Sequence, residues 1–81
     1  MSEARPELFH RIAEAGSAAA RRRVAELGLG ERIAFRNVEF DSHRDALRAR
    51  GGAGTPALWD GSALHSGERA VVAALEALAR G

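Results

Sequence analysis

Serine, histidine, carboxylate and arginine side chains are the groups with which this chain can do chemistry, because two others are missing. The 81 residues contain no cysteine, and all twelve of the lysine-plus-arginine set are arginine. Without thiols there are no disulfide staples, thiol nucleophiles, thiolate metal sites or iron–sulfur clusters. Without lysine there is no Schiff-base chemistry and no phosphate-loop lysine. The arginine-only, alanine-rich usage points to a GC-rich, bacterial type of coding sequence more than to a function.

Ser17, His10 and Asp60 supply the residue types of a hydrolytic triad, but nothing around Ser17 has the form of a strained nucleophile elbow. The three histidines, His10, His43 and His65, fall on separate elements with no metal-ligand spacing, so no metal cofactor is expected. Arg21, Arg22 and Arg23 are successive helix residues, ~100° apart, and cannot all face one ligand. No aromatic residue interleaves with them, so they read as a solvated face and not as a nucleic-acid surface.

Those residues need a framework, and the length bounds it. A chain of 81 residues makes one domain with one modest core. Apolar residues are 46% and charged residues 28%, with a formal net charge of +1, ordinary values for a folding chain. No apolar run approaches the ~18 residues that a membrane span needs, and no membrane partner is expected. The opening MSEARPELFH lacks the apolar core of a secretory signal, which makes a cytoplasmic location the expectation. Residues 1–7 read as a lead and 8–81 as the domain.

Within the domain, LFHRIA predicts a short first strand with Leu8, His10 and Ile12 on one face. Ser17 stands where an N-cap belongs, and Gly28 follows a stripe of Ala20, Val24 and Leu27, so a helix is expected over about Ser17 to Leu27. A second strand lies within Arg32 to Phe40. DSHRDALRARGG follows as a short helix, with Ser42 and Asp45 in capping-box spacing. Asp60-Gly61 between apolar segments predicts a β-hairpin, with the lone tryptophan, Trp59, as a core residue of its first strand. Val71, Ala74, Leu75 and Leu78 mark a last amphipathic helix. The expected architecture is α/β, in the order βαβαββα, with a four-stranded mixed sheet and helices on both faces.

This order, with the segment GTPALWDGSAL and the run LFHRIAEAGSAAARRRVAEL, resembles the thioredoxin-like fold in its minimal glutaredoxin form. The first segment is similar to the family's Thr-Pro stretch, in which a cis-proline precedes a strand, a tight turn and a further strand. The second is similar to its first strand, CxxC turn and first helix. In that register Ser17 stands at the second cysteine position and Glu14 at the first. The family's redox reaction needs a low-pKa thiolate at a helix N-terminus, and a carboxylate cannot exchange a disulfide, so thiol–disulfide chemistry is excluded for this chain.

What the resemblance leaves is a binding surface. It implies a cis Thr55–Pro56 bond, for which the intrinsic cost is only about 0.5–1 kcal/mol. It further implies that the backbone of Thr55 pairs with an extended peptide, a glutathione-like ligand or a partner protein. Ser66 and Gly67, just before the last helix, match the place where glutathione users hold a carboxylate. The expected function is therefore a non-catalytic binding module or scaffold with Glu14, Ser17, Thr55, Pro56 and Ser66 as ligand-binding residues. Glutathione is a ligand to consider and no cofactor is required. The competing expectation is a glutathione-transferase-like enzyme in which Ser17 orients a substrate thiolate. Open sheet edges leave a monomer or a weak homodimer as the expected state.

Overall fold

A computed structural model describes residues 5–81 of the chain. Its elements are β1 (Glu7–His10), α1 (Ala15–Glu26), β2 (Ala34–Asn37), α2 (Asp41–Ala49), β3 (Ala57–Trp59), β4 (Leu64–Ser66) and α3 (Glu68–Arg80). The strands form one sheet in the order β2-β1-β3-β4. β1 runs parallel to β2 and antiparallel to β3, and β3 runs antiparallel to β4. The chain is thus an α/β fold built on a four-stranded mixed open sheet with three helices. β1 starts at Glu7, one residue before the expected boundary, and residues 1–4 of the expected lead lie outside the described residues.

The period-two alternation of strands divides the core. Leu8 and Leu58 point to one face, where they meet Ala20 and Val24 of α1 and Val71, Ala74 and Leu75 of α3. Leu29 and Ile33, in the connection from α1 to β2, close that side. Phe9 and Ala57 point to the other face and pack with Val38 and Leu47 of α2, while Trp59 and Leu64 lie against the same cluster. Trp59 also carries the Arg50 guanidinium 4.3 Å above its ring, a cation–π contact that fits a partly wet indole.

Two helices stop in the same way. Beyond α1 the amide of Gly28 donates to Ala25 and that of Leu29 to Val24; beyond α2, Gly51 donates to Arg48 and Gly52 to Leu47. These are Schellman closures, in which the first residue past the cap must be left-handed, and Gly28 (φ +68°) and Gly51 (φ +90°) supply it. The hairpin forms at the expected dipeptide with a division of labour. Gly61 alone takes a positive φ, and the Asp60 carboxylate accepts from the amides of Ser62 and Ala63, both at 2.8 Å.

Four local expectations are corrected. β1 ends at His10, so Ile12 is not on its inner face but 59% exposed. The reason is that Arg21 takes the carbonyls of Arg11 and Ile12 at 3.1 and 3.2 Å, turning the chain out of the sheet. Ser17 is not the N-cap of α1. Glu14 is, because its carbonyl accepts the Ala18 amide and starts the ladder three residues earlier. Ser42 does not cap α2 either: Phe40 is the N-cap, and its carbonyl receives the amides of His43 and Arg44. Finally, the arginine run is more than a solvated face. Arg21 folds back onto β1, and Arg23 bridges to Glu76 of α3 at 2.9 Å.

Among the described residues no helix is long and apolar enough to cross a membrane. Burial assigns stability unevenly along β1. Phe9 is fully buried, so Phe9→Ala is expected to cost about 3–5 kcal/mol in urea denaturation. Ile12→Ala is expected to change stability by less than about 0.5 kcal/mol. A comparable loss at both positions would contradict this assignment of the core.

Candidate functional site

The end of β1 and the start of β3 lie at the same end of the sheet, since Phe9 pairs with Ala57 in an antiparallel ladder. That pairing carries the β1–α1 turn and the Thr55–Pro56 dipeptide to one place. The Thr55–Pro56 bond is cis, as the sequence reading expects. Pro56 is buried and its carbonyl accepts the Gly67 amide at 2.9 Å, which ties the start of α3 to the same corner. A Cβ on Gly16 would meet Pro56 Cδ at 3.3 Å and Glu68 Oε1 at 3.6 Å. The first turn of α1, the proline and the first residue of α3 are therefore packed together.

Glu14 joins these parts. Its Oε1 accepts the Ser17 hydroxyl at 2.5 Å and the Thr55 hydroxyl at 2.8 Å. The carboxylate sits at the N-cap of α1, where the helix dipole and free amides favour negative charge. Ser17 is 0% exposed, and its oxygen also accepts the Arg11 amide at 3.0 Å. Its proton is given to Glu14, one lone pair is taken by Arg11, and the full burial of the hydroxyl keeps it from a ligand. Thr55 is half-buried, and its backbone N–H and C=O have no hydrogen-bond partner among the described residues. Unpaired main-chain groups beside a sheet are costly unless water or a ligand meets them.

Ser66 borders this cluster without a hydrogen bond to it. It ends β4 opposite Ala57, exposed, with no hydrogen bond from its hydroxyl among the described residues. Gly67, through its amide, and Glu68, at the first position of α3, are the neighbours of Pro56 instead. Gly16 and Glu68 carry no residue-type signal that points to this corner; only the chain path brings them there.

A second polar group flanks the β1 end. His10 is buried, its Nδ1 accepts from Arg21 at 3.1 Å, and its ring meets Phe35 edge-on at 5.9 Å. Burial, then the Arg21 guanidinium, then His43, push its pKa below the ordinary 6.5. His43 donates from Nδ1 to the Asn37 carbonyl at 3.0 Å. The paper triad of Ser17, His10 and Asp60 is not assembled, because Ser17 is bound to Glu14 while Asp60 pairs with His65 at 2.7 Å at the far end of β3. Among the described residues no three potential ligands gather as a metal site.

The arrangement leaves the Thr55 main chain unpaired among the described residues and sets the Glu14 carboxylate beside it; it contains no activated nucleophile. No protein-family model, curated protein or solved structure matches the chain.

Two outcomes test these contacts. Glu14→Ala and Thr55→Val are each expected to destabilise, with a coupling of about 1 kcal/mol in a double-mutant cycle followed by urea denaturation. Additive losses would mean the hydroxyl–carboxylate bond contributes nothing. For His10, the folded chain binds fewer protons than the unfolded one below 6.5, so its contribution to stability is complete above that pH and falls as pH drops below it. His10→Asn keeps an acceptor for Arg21 and is expected to flatten that pH slope. An unchanged slope would place the titration elsewhere.

Proposed function

We propose that this chain is a non-redox member of the thioredoxin-like fold, of glutaredoxin type, that binds an extended peptide segment of a partner protein at Thr55. The element order, the strand order β2-β1-β3-β4 and the cis-proline packed against the first turn of α1 support that reading of the fold. The observation that carries the function is the unpaired backbone of Thr55 beside a paired one. Residues Ala57–Trp59 are bonded on both sides, to β1 and β4, whereas Thr55 offers one N–H and one C=O to an incoming strand. Main-chain pairing of this kind is strand addition on the scale of one residue.

Charge narrows the ligand. Glu14 bonds the Thr55 hydroxyl and makes no ion pair among the described residues, and the Glu68 carboxylate approaches Gly16 beside Pro56. Glutathione is anionic, and its carboxylates would meet these two acids. A peptide with a lysine or arginine beside the paired residue would instead find a counter-charge on Glu14. The burial of the Ser17 hydroxyl and its bond to Glu14 weigh against the transferase alternative.

The test is a chemical-shift titration of the ¹⁵N-labelled protein with an unstructured arginine-containing peptide and, separately, with glutathione. The peptide is expected to perturb Thr55, Ala57 and Gly67 saturably, and Glu14→Gln to weaken it severalfold. Glutathione is expected to bind more weakly than the peptide. A peptide titration that leaves the Thr55 amide unmoved would overturn the binding role and leave a scaffold.

A further inference from the structure

The far end of the sheet holds a second arrangement that the Thr55 groove does not use. β3 runs from Pro56, beside the end of β1, to Trp59, beside Glu7. Asp60 and the hairpin loop therefore lie at the opposite end of the sheet from Glu14. There a cavity of about 350 Å³ is lined by Arg32, Asp60, His65, Ala74, Ala77 and Leu78. That volume lies at the small end of ligand sites.

The Asp60 carboxylate is held by four bonds. Oδ1 accepts the Ser62 amide at 2.8 Å, the Ser62 hydroxyl at 3.1 Å and the Ala63 amide at 2.8 Å, and Oδ2 lies 2.7 Å from His65 Nε2. The His65 bond first, then the two amides, hold Asp60 well below the usual carboxylate range. An ionised, fixed carboxylate can only accept, so His65 must carry its proton on Nε2. Nδ1 has no partner among the described residues. His65 pairs with Leu58 across the ladder, which puts it on the face covered by α3, where Ala74, Ala77 and Leu78 line the cavity.

Arg32 closes the other side. One guanidinium nitrogen donates to the Leu78 carbonyl at 3.3 Å, the side chain makes no ion pair among the described residues, and its remaining N–H groups are uncommitted. We propose that this cavity is a binding site for a small organic carboxylate with an apolar body. Arg32 binds the carboxylate, the α3 floor takes the apolar part, and His65, held in one tautomer by Asp60, forms the polar wall beside the β4 edge of the cavity. Arginine suits this role because its planar fork matches a carboxylate.

Benzoate is the probe, with benzyl alcohol as its uncharged counterpart. In a methyl and amide titration of the whole chain, benzoate is expected to shift Ala74, Ala77 and Leu78 saturably while leaving Thr55 unmoved. Arg32→Gln is expected to weaken it by roughly tenfold, the loss of one charge-assisted contact. A second readout does not depend on a ligand: long-range ¹H–¹⁵N spectra are expected to show the neutral His65 ring protonated on Nε2, and Asp60→Asn to move that proton to Nδ1, since the new amide donates. Absence of a saturable shift, equal binding of benzyl alcohol, or affinity unchanged in Arg32→Gln would each overturn the site. A wild-type ring protonated on Nδ1 would overturn the role of Asp60.

Discussion

Everything in this small domain depends on burying β1 from both sides. A four-residue strand with Leu8 and Phe9 both fully buried must be covered by helices above and below, and the chain has only three to spend. α1 and α3 cover the Leu8 face and α2 the Phe9 face. The hydrophobic effect at ~25 cal/mol per Å² makes these side chains the main source of stability in a chain without disulfides. The polar start of the strand is secured separately: Glu7 lies between Arg36 at 3.3 Å and Arg50 at 3.4 Å, so the carboxylate that the sheet covers is not left unpaired.

The central strand also explains the polar architecture. With β3 antiparallel to the other three strands, one end of the sheet collects the ends of β1, β2 and β4 with the start of β3, and the opposite end the reverse. The Glu14 and Thr55 corner forms at the end where β1 finishes, and the Asp60 and His65 corner forms where β3 finishes. Open α/β sheets place ligands at such ends, because loops converge there and side chains need not fill a core.

Apolar periodicity made most of the framework legible. The α3 stripe, the alternation in β1 and the Asp-Gly turn each report a local geometry that the tertiary fold does not contradict. The failures share a cause: a polar side chain bonded farther from its own position than local rules consider. Ser17 looks like a cap because caps are usually serine, yet here its hydroxyl turns inward to Glu14 and Arg11, and the helix begins at Ala15. Arg21 looks like surface because its neighbours are arginines, yet it reaches back eleven residues to His10. The Glu14–Thr55 bond spans 41 residues, and no spacing rule announces a contact of that separation. Asp60 and His65 are only five apart, but their meeting depends on which way the hairpin pleats.

The two carboxylates show what the fold makes of a cysteine-free site. Glu14 has two hydroxyl donors on a single oxygen and leaves Oε2 without a partner among the described residues, so it both braces the Thr55 corner and keeps acceptor capacity toward an incoming cation. Asp60 has both oxygens committed and spends its charge on orienting an imidazole. A thiolate at the Glu14 position would be a nucleophile stabilised by the helix end; a carboxylate there is stabilised by the same dipole but has no bond-forming chemistry to offer under ordinary conditions. What the position keeps is charge and hydrogen-bond acceptance, directed at the Ser17 and Thr55 hydroxyls.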